Sequence, residues 1–124
     1  MRSALVLFVL LLASAVYAAD YKNLKVEQFE KMRAEKTNVV LDVRTQKEYD
    51  AGHIPGAVLI DFNSPDFDKK IAGLDKSKTY LVHCAAGGRS AKASARMTSL
   101  NFKSVYNLEG GYRAWEKAGN TGEK

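Results

Sequence analysis

The fold is decided by the stretch Thr79-Tyr80-Leu81-Val82-His83-Cys84-Ala85-Ala86-Gly87-Gly88-Arg89-Ser90. Its first five residues form an apolar run rich in β-forming side chains, which is typical of a strand buried inside a parallel sheet. Two adjacent glycines then indicate a tight loop. The Ala-rich run that follows favours a helix. The sequence therefore predicts a strand over Thr79–His83, a loop that begins at Cys84, and a helix over Ser90–Leu100.

The same alternation of strand and helix patterns extends in both directions from this unit. Short apolar runs predict four further strands, over residues 24–26, 39–43, 57–60 and 104–108. Amphipathic spacing and capping residues predict four further helices: over 27–33, from the cap at Thr45 to Gly52, up to Leu74, and after Gly110-Gly111. This order predicts an α/β layer fold with a parallel sheet. The polar tail over 119–124 is expected to fray.

The first residues are typical of a secretory signal rather than of a folded domain. A basic start precedes the apolar run Ala4–Ala13, and small residues follow at Val16 and Ala18. The apolar run is shorter than the roughly 20 residues that a membrane-spanning helix needs. We therefore expect residues 1–18 to be cleaved after Ala18, which leaves 19–124 as a single domain with no stable membrane insertion. An exported protein is expected, in the periplasm if the cell is a Gram-negative bacterium and otherwise secreted.

Composition excludes several classes of function. The formal net charge is +5, but the basic residues are spread along the chain, so nucleic acid is not an expected partner. A moderate positive excess suits small anionic substrates. Cys84 is the single cysteine, so no internal disulfide forms, and His53 and His83 have no zinc-ligand spacing. We expect neither a metal nor a cofactor, and a lone thiol in an exported chain points to chemistry at Cys84.

The position of Cys84 favours a nucleophilic thiolate. It follows a buried strand at the carboxyl edge of the sheet, where open α/β sheets place their ligand sites. The N–H groups of the glycine loop, the start of the next helix and the charge of Arg89 all favour the anion and are expected to lower the pKa of the thiol. The same cradle would bind an anionic substrate without a general base; its residues are Ala85, Ala86, Gly87, Gly88, Arg89 and Ser90.

Other polar residues have more than one interpretation. Ser90 is either a donor to the sulfur or a helix cap, and the sequence leaves both open. Asp42 and Arg44 follow a buried strand and are predicted to form an ion pair that supports the neighbouring loops. His53 is expected to form a hydrogen bond within its own turn. Strand alternation points the side chain of His83 away from that of Cys84, so it is not counted as a catalytic base.

Four segments occur together and in order: Leu41-Asp42-Val43-Arg44, Gly52-His53-Ile54-Pro55-Gly56-Ala57, His83 through Ser90, and Asn107-Leu108-Glu109-Gly110-Gly111 with Trp115. On these segments the chain resembles the single-domain rhodaneses. The resemblance implies a three-layer fold with a five-stranded, mainly parallel sheet flanked by helices. It also implies that Cys84 takes the outer sulfur of thiosulfate or another sulfane donor as a persulfide and passes it to cyanide or a thiol.

Two other functions remain open at this stage. Phosphatases and arsenate reductases of similar fold have one more residue between the cysteine and the arginine of the loop, whereas four residues intervene here. That shorter loop favours sulfur over phosphate chemistry. Ala85 stands where many rhodaneses carry arginine or another polar residue, which leaves the sulfur donor open. A sulfur-relay or binding module served by a protein donor or partner is therefore the main alternative.

Overall fold

A computed structural model describes residues 20–124, so the predicted signal sequence lies outside the described residues. The described chain alternates strands and helices in the order β1 Lys22–Leu24, α1 Val26–Arg33, β2 Val39–Asp42, α2 Gln46–Ala51, β3 Val58–Leu59, α3 Phe67–Ala72, β4 Thr79–His83, α4 Gly88–Ser99, β5 Ser104–Leu108 and α5 Gly111–Lys117. Within residues 20–124, no helix is long and apolar enough to cross a membrane.

The five strands form one sheet in the order β1-β5-β4-β2-β3, and every pairing is parallel. The predicted five-stranded α/β fold is therefore confirmed. Strand β4 lies at the centre, with Leu81 opposite Val40 of β2 and Tyr106 of β5. A central parallel strand is covered on both faces, which explains its continuous apolar sequence. Cys84 consequently follows the most enclosed strand of the sheet.

Two apolar clusters pack on opposite faces of this sheet. Val82 and Cys84 belong to the cluster beneath α3 and α4, which includes Ile71 and Met97. The other face is covered by α1 and α5 and contains Leu81, Phe29, Leu108, Tyr112 and Trp115. Because successive strand residues point to opposite faces, the Cys84 side chain faces α4 while that of His83 faces α5. The prediction that these two side chains diverge is confirmed.

Two helix boundaries show how local sequence sets the site. Helix α2 begins as predicted: the N–H of Glu48 donates to Thr45 Oγ1 at 3.2 Å, and the Glu48 carboxylate accepts from the Thr45 N–H. Helix α4 begins at Gly88 rather than at the predicted Ser90. Gly87 takes the cap position with a φ of 114°, a left-handed conformation that other residues rarely adopt. The glycine loop is therefore part of the helix start.

The C-terminal tail does not fray, so that expectation is wrong. The backbones of Glu123 and His53 exchange two hydrogen bonds of 2.9 Å in an isolated antiparallel bridge. Gly122 lies so close to the Tyr112 hydroxyl that an added Cβ would be 2.0 Å from the oxygen. The Nδ1 atom of His53 lies 2.9 Å from the carbonyl oxygen of Tyr49 in α2, so the ring bonds to the preceding helix rather than within its own turn as expected. The tail is fixed against the turn that holds His53.

Candidate active site

The Cys84 thiol lies at the start of α4 and is almost fully enclosed, with 1% of the residue exposed. The Gly87 N–H donates to Sγ at 3.1 Å. Ser90 Oγ lies 3.3 Å from Sγ and 3.2 Å from the Gly87 carbonyl oxygen, so its single proton is shared between two acceptors. The structure thus places Ser90, which is fully buried, against the sulfur as well as within the first turn of the helix.

These donors change the acidity of the thiol. Burial opposes ionisation, but the Ser90 hydroxyl and the N–H groups of Ser90, Gly87 and Ala86 outweigh it and lower the pKa of Cys84. Hydrogen bonds that are made only to the anion favour the anion. The predicted direction of the shift is confirmed. A thiolate is the reactive form of cysteine toward sulfur electrophiles, so this arrangement prepares Cys84 for attack.

The loop is held in shape by the start of α5. The Tyr112 N–H donates to the Cys84 carbonyl at 2.8 Å, and the Arg113 N–H donates to the Ala85 carbonyl at 3.1 Å. In a planar trans peptide the N–H points opposite to the C=O. Turning the Ala85 carbonyl toward α5 therefore turns the Ala86 N–H toward the interior of the loop and the sulfur.

Gly111 permits this contact between α5 and the loop. It has a φ of 60°, and an added Cβ would lie 2.5 Å from the Cys84 carbonyl oxygen and 2.7 Å from the carbonyl group of Ala85. No side chain fits in that space without moving backbone. The Gly110-Gly111 pair, which the sequence indicates only as a turn, thus sets the distance between the loop and the helix that orients it.

Asp42 and Arg44 form the predicted buried ion pair next to the site. Arg44 Nε and Nη2 donate to the Asp42 carboxylate at 3.0 and 2.8 Å, and the two residues are 4% and 0% exposed respectively. Arg44 Nη2 also donates to the Gly52 carbonyl at 2.8 Å, and its guanidinium lies 4.3 Å from the centre of the Tyr112 ring. The pair joins the end of β2 to the α2 turn and to α5.

His83 occupies the space between this pair and the thiol loop. Its Nδ1 donates to the Cys84 carbonyl at 3.1 Å, since a carbonyl only accepts, and Nε2 lies 3.6 Å from Asp42 Oδ2, beyond hydrogen-bond range. Burial lowers the pKa of His83, while the Asp42 charge opposes that shift. The ring is therefore neutral near pH 7 and supports the loop backbone. It does not contact the sulfur.

Arg89 is placed differently from its sequence interpretation. Its Nη1 and Nη2 donate to the Glu48 carboxylate at 2.7 and 2.9 Å, so its charge is balanced within the protein. The pair holds the pKa of Glu48 at about 2, chiefly through the hydrogen bond from Arg89. Arg89 thus connects α4 to α2 instead of leaving an unbalanced charge for the thiolate. Its role as a substrate ligand stays a prediction.

A polar cleft of about 320 Å³ opens beside the loop, with Ala85 in its wall. The other residues that line it come from α2 and its flanks and from α5: Arg44, Glu48, Ala51, Gly52, Tyr112, Arg113 and Glu116. The structure therefore gathers the predicted loop residues 84–90 and the predicted supports Asp42 and Arg44 at one edge of the sheet. It adds Glu48 and residues 111–113, which sequence reasoning did not place at the site.

Comparison of the sequence and the fold with known proteins identifies the family of the chain. The sequence model of the family described as "Rhodanese-like domain" matches residues 25–118. The thiosulfate sulfurtransferase GlpE of Pseudomonas fluorescens (strain SBW25) is 37% identical over 98 residues, which cover 78% of this chain and 86% of that protein. The tRNA uridine(34) hydroxylase of Cytophaga hutchinsonii is 41% identical over 93 residues, or 73% of this chain. That match covers only 30% of the hydroxylase.

Solved structures agree with the sequence relatives. The crystal structure of a rhodanese-related protein from Thermoplasma volcanium matches with a TM-score of 0.75 at 28% identity, covering 83% of this chain and 98% of that one. The family match extends over most of the described residues and includes the whole thiol loop. The chain therefore belongs to the rhodanese-like family, which is of the sulfurtransferase type.

Proposed function

We propose that the chain is an exported sulfurtransferase that moves sulfane sulfur from thiosulfate or a related donor to cyanide or a thiol, through a persulfide on Cys84. One observation carries the proposal: Sγ accepts from the Gly87 N–H at 3.1 Å and lies 3.3 Å from the Ser90 hydroxyl. A lone thiol so placed is activated without a general base. The likeness to GlpE, which is named a thiosulfate sulfurtransferase, supports the choice of donor.

The first half-reaction loads the cysteine. The Cys84 thiolate attacks the outer sulfur of thiosulfate, a new S–S bond forms, and the original S–S bond breaks with its electron pair leaving on sulfite. The persulfide keeps the negative charge close to where the thiolate held it. The N–H groups of Ala86 and Gly87 and the Ser90 hydroxyl, which lower the pKa of the thiol, stabilise this charge as well.

The second half-reaction returns the enzyme to its starting state. Cyanide or a thiolate attacks the outer sulfur of the persulfide, and the electron pair of the broken S–S bond returns to Cys84 Sγ. The product is thiocyanate or a new persulfide. The neutral ring of His83 takes no proton in either step, because it lies against Tyr112 on the α5 face of the sheet and does not contact the sulfur.

A sulfur-relay module is the second candidate, and Ala85 favours it. That residue brings no charge to the mouth of the loop, and Arg89 is already paired with Glu48. A small dianion therefore finds mainly backbone N–H groups, whereas a protein donor would bring its own contacts. This candidate predicts negligible turnover with thiosulfate alone and rapid loading from a persulfidated partner. A phosphatase of similar fold is disfavoured by the four residues between Cys84 and Arg89.

Export and the single-domain arrangement are also part of the proposal. The sequence pattern of residues 1–18 supports a cleaved signal, with residues 19–124 as the working domain and the periplasm as the location in a Gram-negative cell. The intact mass of the protein purified from its native cell tests this. In the exported fraction we expect the mass of a chain that begins at Ala19. A chain that is found in the cytosol and retains Met1–Ala18 would contradict the proposed export.

Turnover tests the catalytic proposal. Protein incubated with thiosulfate and cyanide is expected to release thiocyanate, with Cys84→Ser as the matched control because it keeps the size of the side chain and removes the sulfur nucleophile. Thiocyanate formation that is equal in the two proteins would refute the catalytic role of Cys84. Release of phosphate from a generic phosphate ester by the native protein but not by Cys84→Ser would instead indicate the phosphatase candidate.

A further inference from the structure

The cleft has in its wall Ala85, the residue that follows the sulfur carrier Cys84. Its volume of about 320 Å³ is within the usual range for sites that bind small molecules. A small molecule bound in the cleft would therefore lie beside the loop that holds the thiol. This position suits the second substrate of a sulfur transfer better than a remote regulatory site.

Two of the four charged side chains in the cleft are already neutralised by the protein. Arg44 is held by Asp42, with a closest distance of 2.8 Å, and Glu48 is held by Arg89 at 2.7 Å. Neither of these pairs contributes a net charge to a ligand. Recognition of a charged ligand in the cleft therefore depends on the other two side chains, Arg113 and Glu116.

Arg113 and Glu116 are both exposed, and neither forms an ion pair with any residue of the 20–124 segment. They are three positions apart on α5, which places them on the same face of the helix. The Arg113 backbone is bound to the Ala85 carbonyl at 3.1 Å, so its side chain originates at the edge of the thiol loop. The cleft thus presents one available cation and one available anion along a single helix face.

Tyr112, which also lines the cleft, is affected by the charge of Glu116. Its pKa is raised, first by burial and then by the negative charge of Glu116. The Glu116 side chain itself lines the cleft beside Tyr112, so its charge acts on a ligand there. A dianion such as thiosulfate would be attracted by Arg113 but repelled by Glu116, whereas a ligand that carries both signs of charge would find a partner for each.

We propose that this cleft is the acceptor site and that it selects small thiols bearing both an ammonium and a carboxylate group, with cysteine as the simplest example. Arg113 binds the carboxylate and Glu116 binds the ammonium group. The inference rests on the proposed function, since it names the class of thiol that collects the sulfur. The acceptor thiolate attacks the outer sulfur of the Cys84 persulfide and becomes R–S–S⁻. The electron pair of the broken bond returns to Cys84, and the proton of the acceptor thiol is released to solvent.

Four acceptor thiols distinguish the contributions of the two charged groups. Cysteine carries both groups, 3-mercaptopropionate only the carboxylate, cysteamine only the ammonium group, and 2-mercaptoethanol neither. Discharge of the preformed persulfide is timed by rapid mixing, and each rate is compared between variant and native protein, so that intrinsic thiol reactivity cancels. Arg113→Gln is expected to slow cysteine and 3-mercaptopropionate by roughly two- to fivefold and not to slow the other two thiols.

Glu116→Gln is expected to slow cysteine and cysteamine by a similar factor and not to slow the two thiols without an ammonium group. Lys117→Gln is the matched control, because it removes a charge from the same helix outside the cleft and is expected to change none of the four rates. An equal effect of Arg113→Gln on all four thiols would overturn the inference, and so would no effect on any of them.

Equilibrium binding distinguishes failure of this inference from failure of the proposed function. S-methyl-L-cysteine carries both charges but cannot accept sulfur, so its binding requires the cleft and not the persulfide. Titration into the unloaded native protein is expected to shift the amide resonances of Ala85 and Arg113, and Arg113→Gln is expected to weaken that binding. If no persulfide forms but these shifts appear, the proposed function is wrong, and only the assignment of the cleft as a binding site for ligands with an ammonium and a carboxylate group stands. If no shifts appear, the assignment is wrong whatever the persulfide does.

Discussion

Replacing Gly111 with alanine tests how α5 controls the thiol loop. A φ of 60° costs a non-glycine residue about 1 kcal/mol. The new Cβ would also lie 2.5 Å from the Cys84 carbonyl oxygen, so backbone must move, at a further cost of about 1 to 3 kcal/mol. We expect Gly111→Ala to lower the free energy of unfolding by about 2 to 4 kcal/mol. Because the moved loop loses N–H donors to the sulfur, the pKa of Cys84 should rise.

Two assays on the same samples read these effects. Denaturant unfolding gives the free energy, and the rate of alkylation by iodoacetamide as a function of pH gives the thiol titration. Gly56→Ala is the matched control: its φ is 81°, but no atom lies within 4 Å of the new Cβ. It should therefore cost about 1 kcal/mol and leave the thiol titration unchanged. Equal unfolding free energies and equal thiol titrations for the two variants would refute the role given to Gly111.

Three further substitutions follow from the contacts around the site. Ser90→Ala removes a donor to the thiolate, so the pKa of Cys84 should rise and alkylation at pH 7 should slow by about tenfold. The pKa of Glu48 is lowered from 4.5 to about 2, so its stabilisation is complete above pH 4.5 and is lost as pH falls toward 2. Glu48→Gln should remove about 1 to 2 kcal/mol of pH-dependent unfolding free energy across that window. Curves of unfolding free energy against pH that run parallel for the variant and the native protein would contradict this. Asp42→Asn leaves the buried Arg44 without its counter-charge and should cost about 3 to 5 kcal/mol in denaturant unfolding, whereas a loss below 1 kcal/mol would show that the pair is dispensable.

Much of the fold can be predicted from local pattern because the strands are short apolar runs with polar or glycine flanks. Strands β4 and β5 have the predicted boundaries at both ends. The start of α4 was predicted two residues late, because the cap is Gly87 in a left-handed conformation rather than a side chain that caps. The expectation that the C-terminal tail frays is wrong for a different reason, since its pairing partner His53 is remote in sequence.

The sequence predicts those parts of the site that come from one continuous segment. It does not predict contacts between residues that are distant in the chain. Residues 84–90 are contiguous, so their gathering around the sulfur could be inferred from the strand, loop and helix order. The sequence indicates Glu48 only as a capping residue, because its second partner Arg89 lies 41 positions away. The sequence does not predict the N–H donors of Tyr112 and Arg113, because nothing in a Gly-Gly turn indicates which carbonyl groups the next helix will contact.

Mass spectrometry of Cys84 after exposure to thiosulfate tests the central claim most directly. The protein is incubated with excess thiosulfate, freed of small molecules without a reductant, and digested. The account predicts one additional sulfur atom on the peptide that carries Cys84, its loss when cyanide is added, and no addition to Cys84→Ser. Native peptide that gains no sulfur from thiosulfate, while Cys84 remains accessible to alkylation, would contradict the account.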